Sequence, residues 1–318
     1  MTDTPLTPGP VDAQVPRRQH PALRTIKAIG LIRESWVGSI GLGIVIFWVL
    51  IAVFAPVLAP YDPTQQIGPL LNAGPMSCAE PGQRYLNDTG IATTDGSECF
   101  LLGGDQLGQD VLSRIIYGAQ SVLFYAPLAT ACAYAVGIAM GLLAGYKRGW
   151  IDDVLSRVGA VILSFPVLVL YVVIITAFGP SDLNIILAVT FASAPGIMRI
   201  VRGLVLDLRN RDYVGAAQTR GESSLYIMFV EILPNARGPL IVDACLRLGY
   251  TTITLGVLGF LGLGLPPPDP NWGNLIAENR EVVFTSPHST LFPCLAISSL
   301  VLGLNMLADG LREVSLKD

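Results

Sequence analysis

The chain has 318 residues, of which 52% are hydrophobic and only 14% are charged, and its formal net charge is −4. Soluble domains usually carry about 25% charged residues, so this composition indicates a membrane protein. The negative net charge offers no attraction for nucleic acid, and we expect no nucleic-acid partner.

Residues 1–35 are predicted to form a cytoplasmic tail. They contain no apolar core of the kind that a signal peptide has. Thr2 to Pro16 is rich in threonine and proline, which is typical of disorder. Two interpretations remain open for the basic stretch from Arg17 to Lys27: a short helix lying on the membrane surface, or an unstructured basic arm.

Six apolar segments are long enough to cross a bilayer, whose core of about 30 Å needs roughly 20 apolar residues per helix. They are residues 38–58, 121–144, 158–178, 184–203, 239–265 and 291–308. Pro166 and Pro195 lie inside the third and fourth segments, where each removes a backbone donor and favours a kink. Such a kink can act as a hinge, line a solute path, or only shape the packing.

The basic residues predict the orientation, because loops on the cytoplasmic side carry an excess of Lys and Arg. With the N-terminus inside, the inner segments are 1–37, 145–157, 199–237 and the C-terminal tail. Sixteen of the 20 basic residues then lie inside: Arg17, Arg18, Arg24, Lys27, Arg33, Lys147, Arg148, Arg157, Arg199, Arg202, Arg209, Arg211, Arg220, Arg237, Arg312 and Lys317. We therefore predict an all-α domain over residues 36–318 with six spans and both termini inside.

The outer side is predicted to receive two loops, residues 59–115 and 266–290. Cys78 and Cys99 lie in the first loop, where an oxidising compartment would permit a disulfide and a reducing one would leave free thiols. The other three cysteines fall in or near apolar segments and are interpreted as packing residues. No metal site is expected, since the chain has two histidines and no C-x-x-C pair.

Glycines recur at regular spacing in two of the spans. Gly137, Gly141 and Gly145 stand four residues apart in the second span, a pattern that lets another helix approach closely. Gly259 and Gly262 belong to a similar run in the fifth span. Close packing and the lining of a solute path are both open for these residues.

The inner loop 204–237 is predicted to contain a helix–turn–helix. Asp212 to Ala217 fit a short helix that Gly221 can end, because glycine adopts the left-handed conformation at helix C-termini. Apolar residues at helical spacing predict a second helix, which Pro234 is expected to end. These apolar residues are Leu225, Met228, Phe229 and Ile232.

Asp243 and Arg247 stand four residues apart, predicted near the inner end of the fifth span, where they can pair with each other or with a partner protein. A coupling-ion site would place such charges nearer the middle of the membrane. The chain contains no G-x-x-x-x-G-K-[ST] phosphate loop, no G-x-S-x-G and no H-E-x-x-H. It is therefore not expected to be an enzyme.

Several stretches resemble one family of transport proteins. The run from Ala216-Ala217 through Gly221 to Ile232-Leu233-Pro234-Asn235 is similar to the EAA loop of bacterial ABC import permeases. Over residues 35–318 the chain resembles the C-type permease subunit of dipeptide, oligopeptide and nickel importers. Further stretches that carry the resemblance are Phe54–Pro63, Gly103–Gly118, Gly145–Asp152, Ser164–Pro166, Phe260–Gly264, Trp272–Gly273 and Asp309–Arg312.

The resemblance implies a type I ABC importer permease fold in the bacterial cytoplasmic membrane, embedded in lipid. It implies three kinds of protein partner: a B-type permease, two ABC ATPase subunits that hold ATP and Mg, and an extracytoplasmic substrate-binding protein. The chain itself would hold no cofactor. The implied ATPase-coupling residues are Gly215, Ala216, Ala217, Gly221, Ile232, Pro234 and Asn235. The outer family motif contains Asp105, Gly108, Asp110 and Arg114, to which the resemblance gives no role.

The chain departs from the family pattern at a few positions. Gly215 stands where the family usually has the glutamate of the EAA loop, which removes one carboxylate contact to the ATPase. Glu231 stands where a histidine often precedes Ile-Leu-Pro. Gly104, Gln109 and Gln120 replace the usual Thr, Arg and Arg.

Two other functional classes make different predictions about the sequence. A secondary transporter driven by an ion gradient predicts carboxylates within the spans and inverted repeats, and neither is clear in the sequence. An intramembrane enzyme would need a nucleophile and a base at membrane depth. The transported solute is not fixed by the sequence: peptides, nickel, opines and glutathione-like compounds remain open.

Overall fold

The computed structural model describes residues 35–87, 90–266 and 269–315, and most of these residues are helical. The predicted tail lies outside the described residues except for Ser35, so both interpretations of residues 17–27 stay predictions. The helices are α1 (Trp36–Val53), α2 (Ala55–Leu58), α3 (Val111–Lys147), α4 (Trp150–Ile162), α5 (Val167–Phe178), α6 (Asp182–Leu208), α7 (Asp212–Thr219), α8 (Ser224–Tyr226), α9 (Leu233–Phe260), α10 (Trp272–Glu278) and α11 (His288–Ser315). A π-helical segment, Ile227–Ile232, joins α8 to α9.

Five helices are long and apolar enough to cross a membrane: α1, α3, α6, the continuous helix Ser224–Phe260, and α11 over His288–Glu313. The prediction of a single helix over residues 158–178 is wrong, because this segment consists of parts of α4 and α5, which meet at 88°. Pro166 immediately precedes α5, and a proline disfavours the helical conformation in the residue before it. The described residues therefore contain six spans when the bent pair counts as one.

The second span is much longer than its apolar stretch. Helix α3 has 37 residues and begins at Val111, ten residues before the predicted start at 121. The side chain of Asp110 caps it by accepting a 2.8 Å hydrogen bond from the backbone N–H of Ser113. The first turns of α3 carry polar residues, so hydropathy alone places the beginning of the helix too late.

Helices α3 and α6 pack through the glycine stripe of α3. A Cβ added to Gly141 would lie 2.5 Å from the Cβ of Val201, and one added to Gly145 would lie 2.7 Å from the Cβ of Val205. Gly137 meets Ile197 in the same way, at 2.6 Å. The stripe therefore serves close helix packing, one of the two uses left open for it.

We expect Gly141→Ala to lower the stability of the fold by about 1–3 kcal/mol, the usual cost of adding atoms to a filled core. The measurement is the apparent melting temperature of the purified protein in detergent. Gly203→Ala is the matched control, because Gly203 lies in α6 and a Cβ there would meet nothing within 4 Å. Equal melting temperatures for the two variants would contradict the packing account.

Residues 59–110 form a small folded unit, called here the outer subdomain. Within the described parts of the chain, strands occur only here: Ser77–Cys78 pairs with Cys99–Phe100, and Arg84–Asn87 pairs with Gly90–Thr93. The unit has its own apolar core, made of Ile67, Leu70, Ala79 and Phe100. The predicted outer loop 59–115 is thus a structured subdomain followed by the first turn of α3.

A disulfide closes the outer subdomain. Cys78 and Cys99 lie opposite each other in the two-stranded sheet, and the structure joins them covalently. The hydroxyl of Tyr61 accepts a 2.9 Å hydrogen bond from the backbone N–H of Cys99. The disulfide joins residues that are 21 positions apart, and the hydrogen bond ties Cys99 to Tyr61, 38 positions earlier.

Candidate functional site

The predicted helix–turn–helix of the inner loop is present and is called here the inner hairpin, residues 212–235. Helix α7 ends at Thr219, and Gly221 adopts φ +79°, which only glycine tolerates easily. The N–H of Glu222 donates to the carbonyl of Ala217 across the turn, at 3.2 Å. Ser223 then caps the next helix by accepting from the N–H of Tyr226. The local signals of glycine and serine therefore determine this turn.

The prediction that Pro234 ends the second helix is wrong. The chain stays helical from Ser224 to Phe260, and Pro234 is one of the first two residues of α9. Directly before it, Ile227–Ile232 is π-helical, and such a segment changes the hydrogen-bond register of a helix. Pro234 lies in the first turn of α9, a position at which a helix tolerates the missing N–H of proline. The inner hairpin is therefore continuous with a membrane span.

The residues of the inner hairpin divide into a buried set and an exposed set. Ala217 and Ile232 are fully buried, in a core with Leu142, Val201 and Val205 of the neighbouring helices. Gly215, Ala216, Gly221, Pro234 and Asn235 are exposed. Direct contact with another protein is thus available to the exposed set, while Ala217 and Ile232 fix the hairpin on the bundle.

The exposed face of the inner hairpin is apolar and weakly charged. Leu225 and Phe229 lie one helical turn apart and are 63% and 49% exposed. Arg220 pairs with Glu231 at 3.3 Å and lies 3.8 Å from Glu222. These two carboxylates offset the positive charge of Arg220. Gly215 faces open space, since a Cβ there would meet nothing within 4 Å. The arrangement suits docking rather than chemistry at this surface.

The four residues of the outer family motif stand close together at the start of α3. The guanidinium of Arg114 contacts Asp105 at 2.5 Å, and both side chains are almost fully buried. Asp105 also accepts hydrogen bonds of 2.8 Å from the N–H groups of Leu107 and Gln109. Asp105 therefore orders the last turn of the outer subdomain and holds it to α3.

Gly108 and Asp110 complete this turn. Gly108 has φ +71°, and a Cβ there would lie 2.8 Å from the carbonyl oxygen of Ile67. Burial raises the pKa of Asp110, while hydrogen bonds from Ser113 act in the opposite direction. Both residues shape the junction between the outer subdomain and α3.

The second carboxylate partner of Arg114 was not predicted from the sequence. Glu278 of α10 contacts the same guanidinium nitrogen at 2.8 Å. The side chain of its neighbour Asn279 accepts from the N–H of Gln106 at 3.0 Å. These residues are separated by more than 160 positions, so no local pattern links them. Together they join the outer subdomain to the segment that follows α9.

The four candidate path or hinge residues lie apart. Pro166 marks the bend between α4 and α5, and Pro195 lies inside α6. Gly259 packs against α10, since a Cβ there would lie 2.9 Å from the Cα of Gly273. Gly262, with φ +72°, forms the turn after α9. Their part in transport stays a prediction.

Asp243 and Arg247 form an ion pair of 2.8 Å, but not near the end of their helix as predicted. Arg247 is the fifteenth of the 28 residues of α9, because that helix begins at Leu233.

Two family models match the chain. The model described as "Binding-protein-dependent transport system inner membrane component" matches residues 137–317. The model described as "N-terminal TM domain of oligopeptide transport permease C" matches residues 32–75. Apart from residues 32–34, both matches lie within residues 35–318, which carry the resemblance.

Curated proteins of similar length match almost the whole chain. The di/tripeptide transport system permease protein DppC of Pseudomonas aeruginosa is 38% identical over 275 residues, which cover 86% of each chain. The dipeptide transport system permease protein DppC of Alkalihalophilus pseudofirmus is 33% identical and covers 98% of this chain and 94% of its own length. The glutathione transport system permease protein GsiD of Pectobacterium atrosepticum is 34% identical, with coverage of 85% and 83%.

Among solved structures, an inward-facing form of the MetNI methionine ABC transporter has the same fold. The TM-score is 0.54 at 17% identity, and the match covers 64% of this chain and 97% of the other. The helices of this chain thus form an ABC importer permease fold. This chain belongs to the binding-protein-dependent transport system inner membrane components, as a multi-pass permease of the C type found in peptide ABC importers.

Proposed function

We propose that this chain is the transmembrane permease subunit of an ABC importer for di- or oligopeptides or related small solutes. It forms half of the translocation path and pairs with a B-type permease subunit. Two ABC ATPase subunits hold the ATP and Mg, and an extracytoplasmic substrate-binding protein delivers the solute. The chain itself binds no cofactor and breaks no covalent bond.

The continuity of the inner hairpin with a membrane span is the observation that best supports this proposal. An ATPase docked on Ala216, Leu225 and Phe229 would hold the beginning of the helix Ser224–Phe260. Closure of the ATPase pair would then move this span as a rigid body, without any chemistry in the membrane. The names of the relatives support peptides as the solute class.

The test is uptake of a labelled dipeptide by the complete complex in proteoliposomes. We expect uptake to require ATP hydrolysis and to continue when proton and sodium gradients are collapsed. Uptake that continues without ATP hydrolysis and stops with the gradients would refute the proposal and support the ion-gradient-driven transporter instead.

A further inference from the structure

Helix α4 carries an exposed apolar stripe along one face. Trp150, Val154, Val158 and Val161 are between 48% and 75% exposed. They follow each other at four, four and three residues, so they share one face of the helix. At about 1.5 Å per residue the stripe is about 16 Å long. That is about half of a hydrocarbon core of about 30 Å, so the stripe has the length of one leaflet of the bilayer.

The opposite face of α4 packs on α6. Asp152 accepts hydrogen bonds of 2.5 and 2.7 Å from Arg202 of α6. Gly159 lies on the same face about two turns later, and a Cβ added there would lie 3.1 Å from the Cε of Met198. Asp152 is turned about 200° from Trp150, since each residue advances a helix by about 100°. The stripe is therefore directed away from α6, and about half or more of each of its side chains is uncovered in the isolated chain.

Three basic side chains accompany the stripe. Lys147 is the last residue of α3, and Arg148 follows it in the turn that leads to α4. Arg157 stands seven residues after Trp150 and four before Val161, so it lies on the stripe itself. All three are exposed, and none forms an ion pair within the part of the chain that the structure describes. Such charges on the surface of a membrane protein are stabilised by an anion that the chain itself does not supply.

An anionic phospholipid fits this surface better than a partner protein does. The core of a protein interface is depleted of charged residues, whereas Arg157 lies between the apolar residues of the stripe. Basic side chains near the ends of membrane helices extend to the lipid headgroups, and tryptophan is enriched at the same level. Asp153 is the exposed acidic residue of α4, because Asp152 is paired with Arg202. Three positive charges thus stand against one negative charge, which favours an anionic headgroup.

We propose that the turn between α3 and α4 and the apolar stripe form a binding site for an anionic phospholipid of the cytoplasmic leaflet. Lys147 and Arg148 contact the headgroup, and one acyl chain lies along the three valines of the stripe. Arg157 lies about two turns into α4, and its side chain extends back to the phosphate, because helical side chains lean towards the N-terminus of their helix. The inference depends on the position of the chain in the membrane and not on which solute is transported.

The first test compares two lipids that have the same acyl chains. The purified complete complex in detergent is titrated with dioleoylphosphatidylglycerol, which carries a net negative charge, or with dioleoylphosphatidylcholine, which carries none. A ligand that binds only the folded state raises its stability. We expect the first lipid to raise the apparent melting temperature of this chain at a concentration at least about tenfold lower than the second. Equal responses to the two lipids would overturn the inference.

Substitutions then test the basic side chains. Arg157→Gln should raise the concentration of dioleoylphosphatidylglycerol at half-maximal effect about fivefold, the equivalent of about 1 kcal/mol for one basic residue near an anionic lipid surface. The variant Lys147→Gln/Arg148→Gln/Arg157→Gln should raise it by at least about tenfold. Arg312→Gln is the matched control, because Arg312 is exposed near the end of α11 and is predicted on the same side of the membrane. An effect of Arg312→Gln as large as that of Arg157→Gln would overturn the inference. If the triple variant fails to fold, the two single variants decide.

Two further measurements distinguish the lipid from other occupants. Glycerol 3-phosphate carries a phosphate but no acyl chain, and we expect it to leave the melting temperature unchanged at the concentrations used for the lipid. Protection equal to that by the lipid would assign the site to a soluble phosphate and overturn the inference. The triple variant should keep the B-type permease during purification. Loss of that subunit, with an unchanged response to dioleoylphosphatidylglycerol, would assign the stripe to a protein interface instead and would likewise overturn the inference.

Discussion

Ala216→Arg should abolish uptake by the complete complex and leave the membrane domain folded. Ala216 is exposed on α7, beside Gly215, where an added Cβ would meet nothing within 4 Å. Because Ala216 is itself exposed, an arginine at this position would project from the docking face. Changes at the few residues that dominate an interface cost about 2 kcal/mol or more of binding. The measurement is retention of the ATPase subunits during purification, together with dipeptide uptake.

Two further variants separate docking from folding. Leu86→Arg adds the same side chain at a 76% exposed position of the outer subdomain and should retain the ATPase subunits. Ala217→Arg should lower the melting temperature of the permease itself, because Ala217 is fully buried against the bundle. If Ala216→Arg retained the ATPases and normal uptake, the inner hairpin would not be the docking site.

This contrast between neighbouring alanines shows what the sequence could predict about the hairpin. The turn at Gly221 and the cap at Ser223 depend on local backbone chemistry, so they were predictable. The motif marks Ala216 and Ala217 equally, yet only one of them is exposed, because that depends on where α3 and α6 pass beneath α7. The role of Pro234 was mistaken, since a π-helical segment is not visible in hydrophobic periodicity.

The six-span topology was predictable because apolar length and the distribution of basic residues have direct physical meaning in a bilayer. The bend at Pro166 was not predicted as a break of 88°, although the proline was identified. Whether a proline kinks a helix or divides it depends on the surrounding packing. Here Gly159, near the end of α4, lies against Pro195 and Met198 of α6. This contact with α6 fixes the direction of α4 independently of α5.

Contacts between distant segments were the part that the sequence could not provide. Arg247 of α9 lies against Gly196 of α6, and Arg114 of α3 contacts Glu278 of α10. In both pairs the two residues touch although they are far apart in the sequence. The sequence around each of these residues contains no pattern that identifies its partner. The motif around Asp105 did mark the correct place, but its role in joining α3, α10 and the outer subdomain requires the tertiary structure.

Arg114→Met should destabilise the junction of the outer subdomain by about 3–5 kcal/mol, the usual cost of removing one partner from a buried ion pair. Arg114 is 6% exposed and contacts both Asp105 and Glu278, at 2.5 and 2.8 Å. Its loss leaves two carboxylates close together, one of them fully buried, without a cation. We expect a large fall in the apparent melting temperature and faster proteolysis between residues 59 and 110.

Two controls decide whether this effect comes from the unpaired carboxylates. Arg211→Met removes an exposed ion pair with Asp207, whose side chains are 60% and 67% exposed, and should change stability by less than about 1 kcal/mol. Adding Asp105→Asn and Glu278→Gln to Arg114→Met removes the uncompensated charges and should restore much of the lost stability. If the triple variant unfolds as readily as Arg114→Met alone, the packing of the arginine side chain, rather than its charge, holds the outer subdomain to the membrane helices.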